Sequence, residues 1–233
     1  MPKIGFTHGA LYRLPDKFSP RAFEAYAKSG SELLEICWNN LAEGERLMEV
    51  APFAKQYPRT SIHLPSDVRY ANDDVTKAVL DKAFELYQAI GAELVVVHPD
   101  LIDSTELFGQ YPMNFSAENM DCRNKAFKNV DDLKKFFEEN DSWGMVLDLN
   151  HCFSNDPSMK LADEFIAEFR ARIKQLHISG YAGYHEPLYQ TQQLIILDYA
   201  KQLDVPMVIE STFDAIEEVK TEFEYITGYL RAG

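Results

Sequence analysis

The sequence predicts an α/β protein, a single (β/α)8 TIM barrel, and two observations carry that prediction. Short apolar runs alternate with amphipathic stretches along almost all of the 233 residues, the pattern of βα units built on a parallel sheet. Eight of those runs close on ionisable or metal-ligating side chains: IGFTH at His8, LLEICW at Glu35, SIH at His63, LVVVH at His98, FSAEN at Glu118, MVLDLNH at Asp148 and His151, IKQLH at His177 and MVIE at Glu210. A closed barrel gathers the C-terminal ends of its strands at one mouth, where active sites of this architecture sit. An open sheet would collect such residues at one switch point instead. The length suits one domain over 1–233, because barrels of this kind run to about 250 residues.

Each element has its own signal. Residues 3–7 form a short apolar strand. Ser19 and Pro20 offer an N-cap and a proline at the first helical position, and Gly30 offers the stop, so a helix fills that interval. Residues 33–37 are strand two, and 41–56 read as a helix that Pro52 shortens or kinks. Residues 60–63 make a very short strand three. Asn72, Asp73 and Asp74 cap the best helix of the chain, in which Val75, Val79, Leu80, Ala83, Leu86, Tyr87 and Ile90 share one face until Gly91 ends it. Strand four spans 93–97. The following PDLIDSTELFGQYPMN has two prolines, a glycine and no helical stripe, so the connection between strands four and five is shortened and irregular. Strand five follows at FSAEN. The alternation then resumes: helix 124–140, strand 145–149, helix 159–171, strand 173–178, helix 188–203, strand 206–210 and a closing helix over 214–230.

Composition narrows the class of partner. A hydrophobic content of 46% supports a large core, and the net charge of −14 gives no basic footprint for nucleic acid. No nucleic-acid partner is expected. Cys37, Cys122 and Cys152 are too few and too scattered for a disulfide framework, which points to a reducing, cytoplasmic location. No run approaches the roughly 18 apolar residues of a membrane helix, and MPKIGFTHG has no signal-peptide pattern.

The chemistry lies in the strand ends. Glu118, Asp148, His177 and Glu210 close strands five to eight and would face one another across half the mouth. Carboxylates gathered at one site repel unless a cation neutralises them. A mixed oxygen and imidazole set suits a divalent ion such as zinc, manganese, cobalt or iron, one or two per chain. His63, His98, His151 and His185 are candidates for a second or third metal site or for substrate binding. His8 is expected to line the substrate pocket, and Glu35 to line it or to orient a neighbour. No glycine-rich phosphate loop is present.

The order of the runs HLP at His63, HPD at His98, ENM at Glu118, LDLNH at Asp148 and His151, LHIS at His177, HEPL at His185 and VIES at Glu210 resembles the xylose isomerase-like barrel superfamily. That superfamily holds endonuclease IV-type AP endonucleases alongside sugar isomerases, epimerases and inosose dehydratases. The endonuclease branch implies three zinc ions on His63, His98, Glu118, Asp148, His151, His177, His185 and Glu210. This chain departs from that branch at Gly183, where the Asp of an Asp-x-His pair is expected, and near Ser66, where an aromatic enters the DNA. The isomerase and epimerase branch needs only the carboxylates and histidine of strands five to eight, all of which are present.

The resemblance therefore implies a metal-dependent isomerase or epimerase acting on a sugar or polyol-like small molecule. In that reading Glu118 and Glu210 exchange the proton and His151 steadies a substrate oxygen. The alternatives are a phosphodiesterase of the AP endonuclease type and a non-catalytic barrel that binds metal or sugar. Association into a homo-oligomer is left open.

Overall fold

The computed structural model describes residues 3–14 and 17–232. The domain expected over 1–233 also takes in residues 1, 2, 15, 16 and 233, which lie outside the described residues. Eight parallel strands close into a barrel in sequence order: β1 Ile4–Thr7, β2 Leu33–Cys37, β3 Arg59–His63, β4 Leu94–Val97, β5 Phe115–Glu118, β6 Gly144–Asp148, β7 Ile173–Ile178 and β8 Met207–Ile209. Closure is made by β1 against β8, with Ile4 opposite Met207. The helices are α1 Pro20–Ser29, α2 Leu41–Gly44, α3 Leu47–Ala54, α4 Asp74–Ile90, α5 Val130–Glu139, α6 Leu149–Asn155, α7 Lys160–Phe169, α8 Leu188–Thr191, α9 Leu194–Ala200 and α10 Glu218–Arg231.

Strand side chains alternate between two environments, as the period of two requires. One set, such as Phe6, Ile36, Ile62, Val95, Ala117 and Leu147, faces outward and packs with the helices into a single large core. The inward set is largely polar: Glu35, Ser61, Ser116, Gln175 and His177 are all buried. Among the described residues, Leu94, Val96 and Val146 form a second, separate apolar cluster. Register decides which inward residues meet. Asp148 lies beside His177 and Cys37 beside His63, while a shift of register between Met145 and Val146 sets how far β6 projects.

Several expected elements have different limits. The helix expected over 41–56 is two pieces, α2 and α3, and Pro52 sits inside α3 without ending it. The helix expected over 188–203 is also divided, because Gln192 takes a left-handed conformation at φ 58° between α8 and α9. The helix expected from Asn124 begins at Val130, where Asn129 caps it by accepting from the Asp132 N–H. Residues 121–129 instead fold as turns. The closing helix begins at Glu218, whose carboxylate accepts from the Asp214 and Ala215 N–H groups. The cap of α4 is Asp73 alone of the three candidates, accepting from the Thr76 N–H at 2.8 Å. The β4–β5 connection has no α-helix, only 3₁₀ turns at Pro99–Leu101 and Phe108–Gln110, as expected.

Candidate metal centre

The C-terminal ends of the strands surround a cavity of about 590 Å³ that includes His63, His98, Glu118, His151, His185 and Glu210 in its wall. Glu118, at the end of β5, is the hub. Its Oε1 lies 2.8 Å from His177 Nδ1, and its Oε2 lies 3.2 Å from His63 Nε2 and 3.1 Å from His98 Nε2. Glu210 approaches the same His177 nitrogen at 3.2 Å and stands 3.7 Å from His185 Nδ1.

Asp148 both closes β6 and starts α6. Its Oδ1 accepts from the His151 N–H at 2.9 Å, an N-cap that turns the chain into a helix directly after the strand. Its Oδ2 is buried and has no hydrogen-bond partner. The cap places His151 so that its Nε2 is 3.5 Å from Asp148 Oδ2, while its Nδ1 is held by the Asn119 carbonyl at 2.7 Å.

Three groups of side chains present ligand atoms within 4.8 Å of one another: Glu118, Asp148, His177 and Glu210; His63, His98 and Glu118; Asp148, His151 and His185. Glu118 and Asp148 each belong to two groups. No cysteine belongs to any of them among the described residues: Cys152 is buried, Cys122 exposed and Cys37 in between. The donor types suit a divalent ion. The unpartnered Asp148 Oδ2 is a buried oxygen that such an ion would satisfy. The residues therefore fit a divalent metal.

Electrostatics agree with that crowding. Burial and the neighbouring carboxylates push Asp148 up to about 8 against the pull of His151 and His177. Burial opposes charge on Glu118 and Glu210, yet the facing His177 outweighs it, holding Glu118 well below the usual range and Glu210 at about 2. Burial also favours neutral His63, but the Glu118 carboxylate prevails and raises it to about 9. His185 is lowered to about 4, chiefly by burial.

His8 does not line the cavity. The strand ends one residue earlier, and His8 opens a 3₁₀ turn that carries its ring outward between Phe18 and Phe23. There it is fully buried, its Nδ1 accepts from the Cys37 N–H at 3.0 Å, and burial lowers its pKa to about 3. Glu35 is likewise absent from the cavity wall. It lies buried beneath His177, with Oε2 3.4 Å from His177 Nε2, and accepts from Ser61 Oγ and Gln175 Nε2 at 2.8 and 2.7 Å. Gly183 adopts φ 138° with open space around it, a conformation unsuited to the Asp of an Asp-x-His pair. Ser66 is exposed on the cavity wall.

Some supporting residues carry a signal in the sequence through their spacing from the ligand-type residues. Ser61 precedes His63, and Gln175 precedes His177, by two positions on the same strand face. Asn119 follows Glu118 directly; its side chain clamps β6 by accepting from the Asp148 N–H at 2.8 Å and donating to the Asp148 carbonyl at 3.0 Å.

No family model matches the sequence, and no curated protein is significantly similar to it. Solved structures are. The D-allulose 3-epimerase of Methylomonas sp. in complex with D-allulose is 16% identical, with a TM-score of 0.67 over 98% of this chain and 97% of that one. The D-psicose 3-epimerase of Clostridium cellulolyticum H10 with D-tagatose is 14% identical, with a TM-score of 0.66 over 99% and 98%. The 3-keto-D-glucoside 4-epimerase of E. coli is 15% identical, with a TM-score of 0.63 over all of both chains. The chain thus shares with these solved structures the fold of a closed eight-stranded α/β barrel. No helix among the described residues is long and apolar enough to cross a membrane.

Proposed function

We propose that this chain is a divalent-metal-dependent sugar isomerase or epimerase. The observation that carries the reading is the convergence of Glu118, Asp148, His177 and Glu210 on one point at the barrel mouth, with Glu118 and Glu210 meeting the same His177 nitrogen. Those four residues would hold a divalent ion, which would supply Lewis-acid polarisation of a carbonyl and its neighbouring hydroxyl. Glu210 and Glu118 are the two groups placed to take a proton from the carbon beside that carbonyl and to return it. Glu210 is the more open of the two, its side chain 15% exposed against 1% for Glu118. His151, fixed through Nδ1 by the Asn119 carbonyl, presents its other edge toward a substrate oxygen. Similarity of fold to epimerases of ketoses and keto-glucosides supports this reading.

The test is a screen of ketoses and polyols with manganese, cobalt or zinc, read as solvent deuterium entering the carbon next to the carbonyl. Exchange should appear with the parent chain and fall by about 10²–10⁴-fold in Glu210→Gln. Exchange that survives in both Glu210→Gln and Glu118→Gln overturns the mechanism.

A second reading, a phosphodiesterase of the AP endonuclease type, is favoured by one observation: the His63–His98–Glu118 and Asp148–His151–His185 groups offer places for further ions. Counting bound metal per chain separates the two, since one ion supports the isomerase and three the phosphodiesterase. With a charge of −14, the chain is expected to bind duplex DNA carrying an abasic site weakly. Robust incision of such DNA at moderate salt would put the second reading first.

A further inference from the structure

Three of the four residues that converge at the barrel mouth lie within strands: Glu118 in β5, Asp148 in β6 and His177 in β7. Glu210 does not. β8 is only three residues long and ends at Ile209, so the sheet ladder holds the fourth residue through a single bond, from the Glu210 N–H to the Ile178 carbonyl at 3.0 Å. Something beyond the sheet must fix the chain there.

A buried carboxylate on the last helix does so. α10 turns Val219, Glu222, Phe223 and Ile226 inward at spacings of three and four, the stripe of a core-facing helix. Val219, Phe223 and Ile226 belong to the apolar core. Glu222, in the same stripe, is fully buried, and burial pushes its carboxyl up while its hydrogen-bond donors pull it back. A carboxylate in such a place is costly unless donors satisfy it. Three do. Oε1 accepts from the Leu188 N–H at 2.7 Å and from Ser211 Oγ at 2.5 Å, and Oε2 accepts from the Tyr189 N–H at 2.9 Å.

Those donors come from the two segments that deliver Glu210 and His185. Ser211 follows Glu210 directly. Leu188 and Tyr189 open α8, three and four positions after His185, and Pro187 before them gives α8 no side-chain cap of its own. A second link runs between the same segments, because Thr212 donates to the His185 carbonyl through its N–H at 2.8 Å and its hydroxyl at 3.0 Å. With both links made, the Glu210 carboxylate stands 3.2 Å from His177 Nδ1 and 3.7 Å from His185 Nδ1.

We infer that Glu222 is a positioning residue for Glu210. Acting through Ser211, it ties the chain just past β8 to residues 185–189 and so keeps the Glu210 carboxylate facing Glu118, Asp148 and His177. This inference rests on the reading of those four residues as a divalent-metal centre. An apolar side chain would fill the same space in α10, but it could not fix a hydroxyl and two N–H groups in one geometry.

The experiment is calorimetric titration of the full chain with manganese in Glu222→Gln and in Ser211→Ala. Glu222→Gln keeps the size of the side chain and replaces one acceptor with a donor. Ser211→Ala leaves the bonds to α8 and removes only the link to β8, so it reads the placement of Glu210 even where Glu222→Gln folds poorly. Each should weaken manganese binding by about tenfold, within the range that groups without contact with a ligand exert on its site. In a Glu210→Ala background neither change should weaken binding further, because the carboxylate they place is gone. A role confined to stability would give the same loss with and without Glu210. That result overturns the inference, as do affinities of both single variants within about threefold of the parent. If the parent binds manganese and both variants bind it equally well, the positioning role falls and the metal centre stands. If the parent binds no manganese, both fall.

Discussion

Asp148 concentrates the chemistry of this site in one residue. It ends a strand, caps a helix and offers a buried, unpartnered oxygen to a metal. Burial and the charges of Glu118 and Glu210 push it up to about 8, so at neutral pH the metal-free chain holds a proton there that an ion must displace. Metal affinity should therefore rise with pH until about 8. Proton release on binding near about pH 6.5, read by calorimetry in two buffers of different ionisation heat, checks this. Affinity independent of pH between about 6 and 8 contradicts it. For the metal-free chain the sign is the reverse: a carboxyl raised in the folded state stabilises below the ordinary carboxylate range, and that contribution is lost as pH climbs through about 8. Glu35 acts one layer deeper, behind His177 Nε2. A carboxylate behind a metal-binding imidazole typically strengthens metal affinity 10–100-fold, so Glu35→Gln should weaken manganese binding by about that factor in a direct titration while the far-ultraviolet dichroism stays the same. Unchanged affinity would remove Glu35 from the site.

Individual elements fix where those residues stand. The β6–α6 junction was not legible in advance, because nothing in MVLDLNH says that a helix begins at Leu149; the Asp148 cap and the Asn119 clamp on β6 decide it. The divided helices were missed for a similar reason. A 3.6-residue apolar stripe continues across Gln192, whose left-handed backbone breaks the helix without changing the pattern. The cap that the structure shows at Asn129 also predicts stability. Asn129→Ala should cost about 1 kcal/mol through the lost N-cap of α5, measurable by denaturant unfolding, with metal binding unaltered. A much tighter constraint falls on Gly5 in β1. A Cβ there would lie 1.7 Å from the Leu33 carbonyl oxygen, a backbone group that cannot swing aside. Gly5→Ala should destabilise by on the order of 3 kcal/mol, and a variant as stable as the parent would mean that β1 and β2 approach each other less closely.

At the scale of the whole molecule, the apolar core is the shell between strands and helices, while the barrel interior below the mouth is mostly polar. Three buried or nearly buried carboxylates, Glu118, Asp148 and Glu210, face one another at the mouth, and a cation would relieve their repulsion. Manganese at about 100 times its dissociation constant should therefore raise folded-state stability by about 2.7 kcal/mol, or roughly 5–10 °C in melting temperature for a chain of this size. A chelator should reverse the shift, and a melting temperature indifferent to metal would contradict the site. What the sequence determined by itself was the eight-stranded barrel and which residues stand at its strand ends, because an apolar run and the residue that closes it are local facts. Only the tertiary structure decided how those residues pair. Glu118 meets histidines 55 and 59 positions away in sequence, Glu35 sits under His177 and accepts from Gln175, 140 positions away, and His8 turns out of the barrel altogether. Such outcomes depend on strand register and on the direction the backbone takes after the last strand residue. Those are set by the neighbouring strands and turns, not by the residue itself.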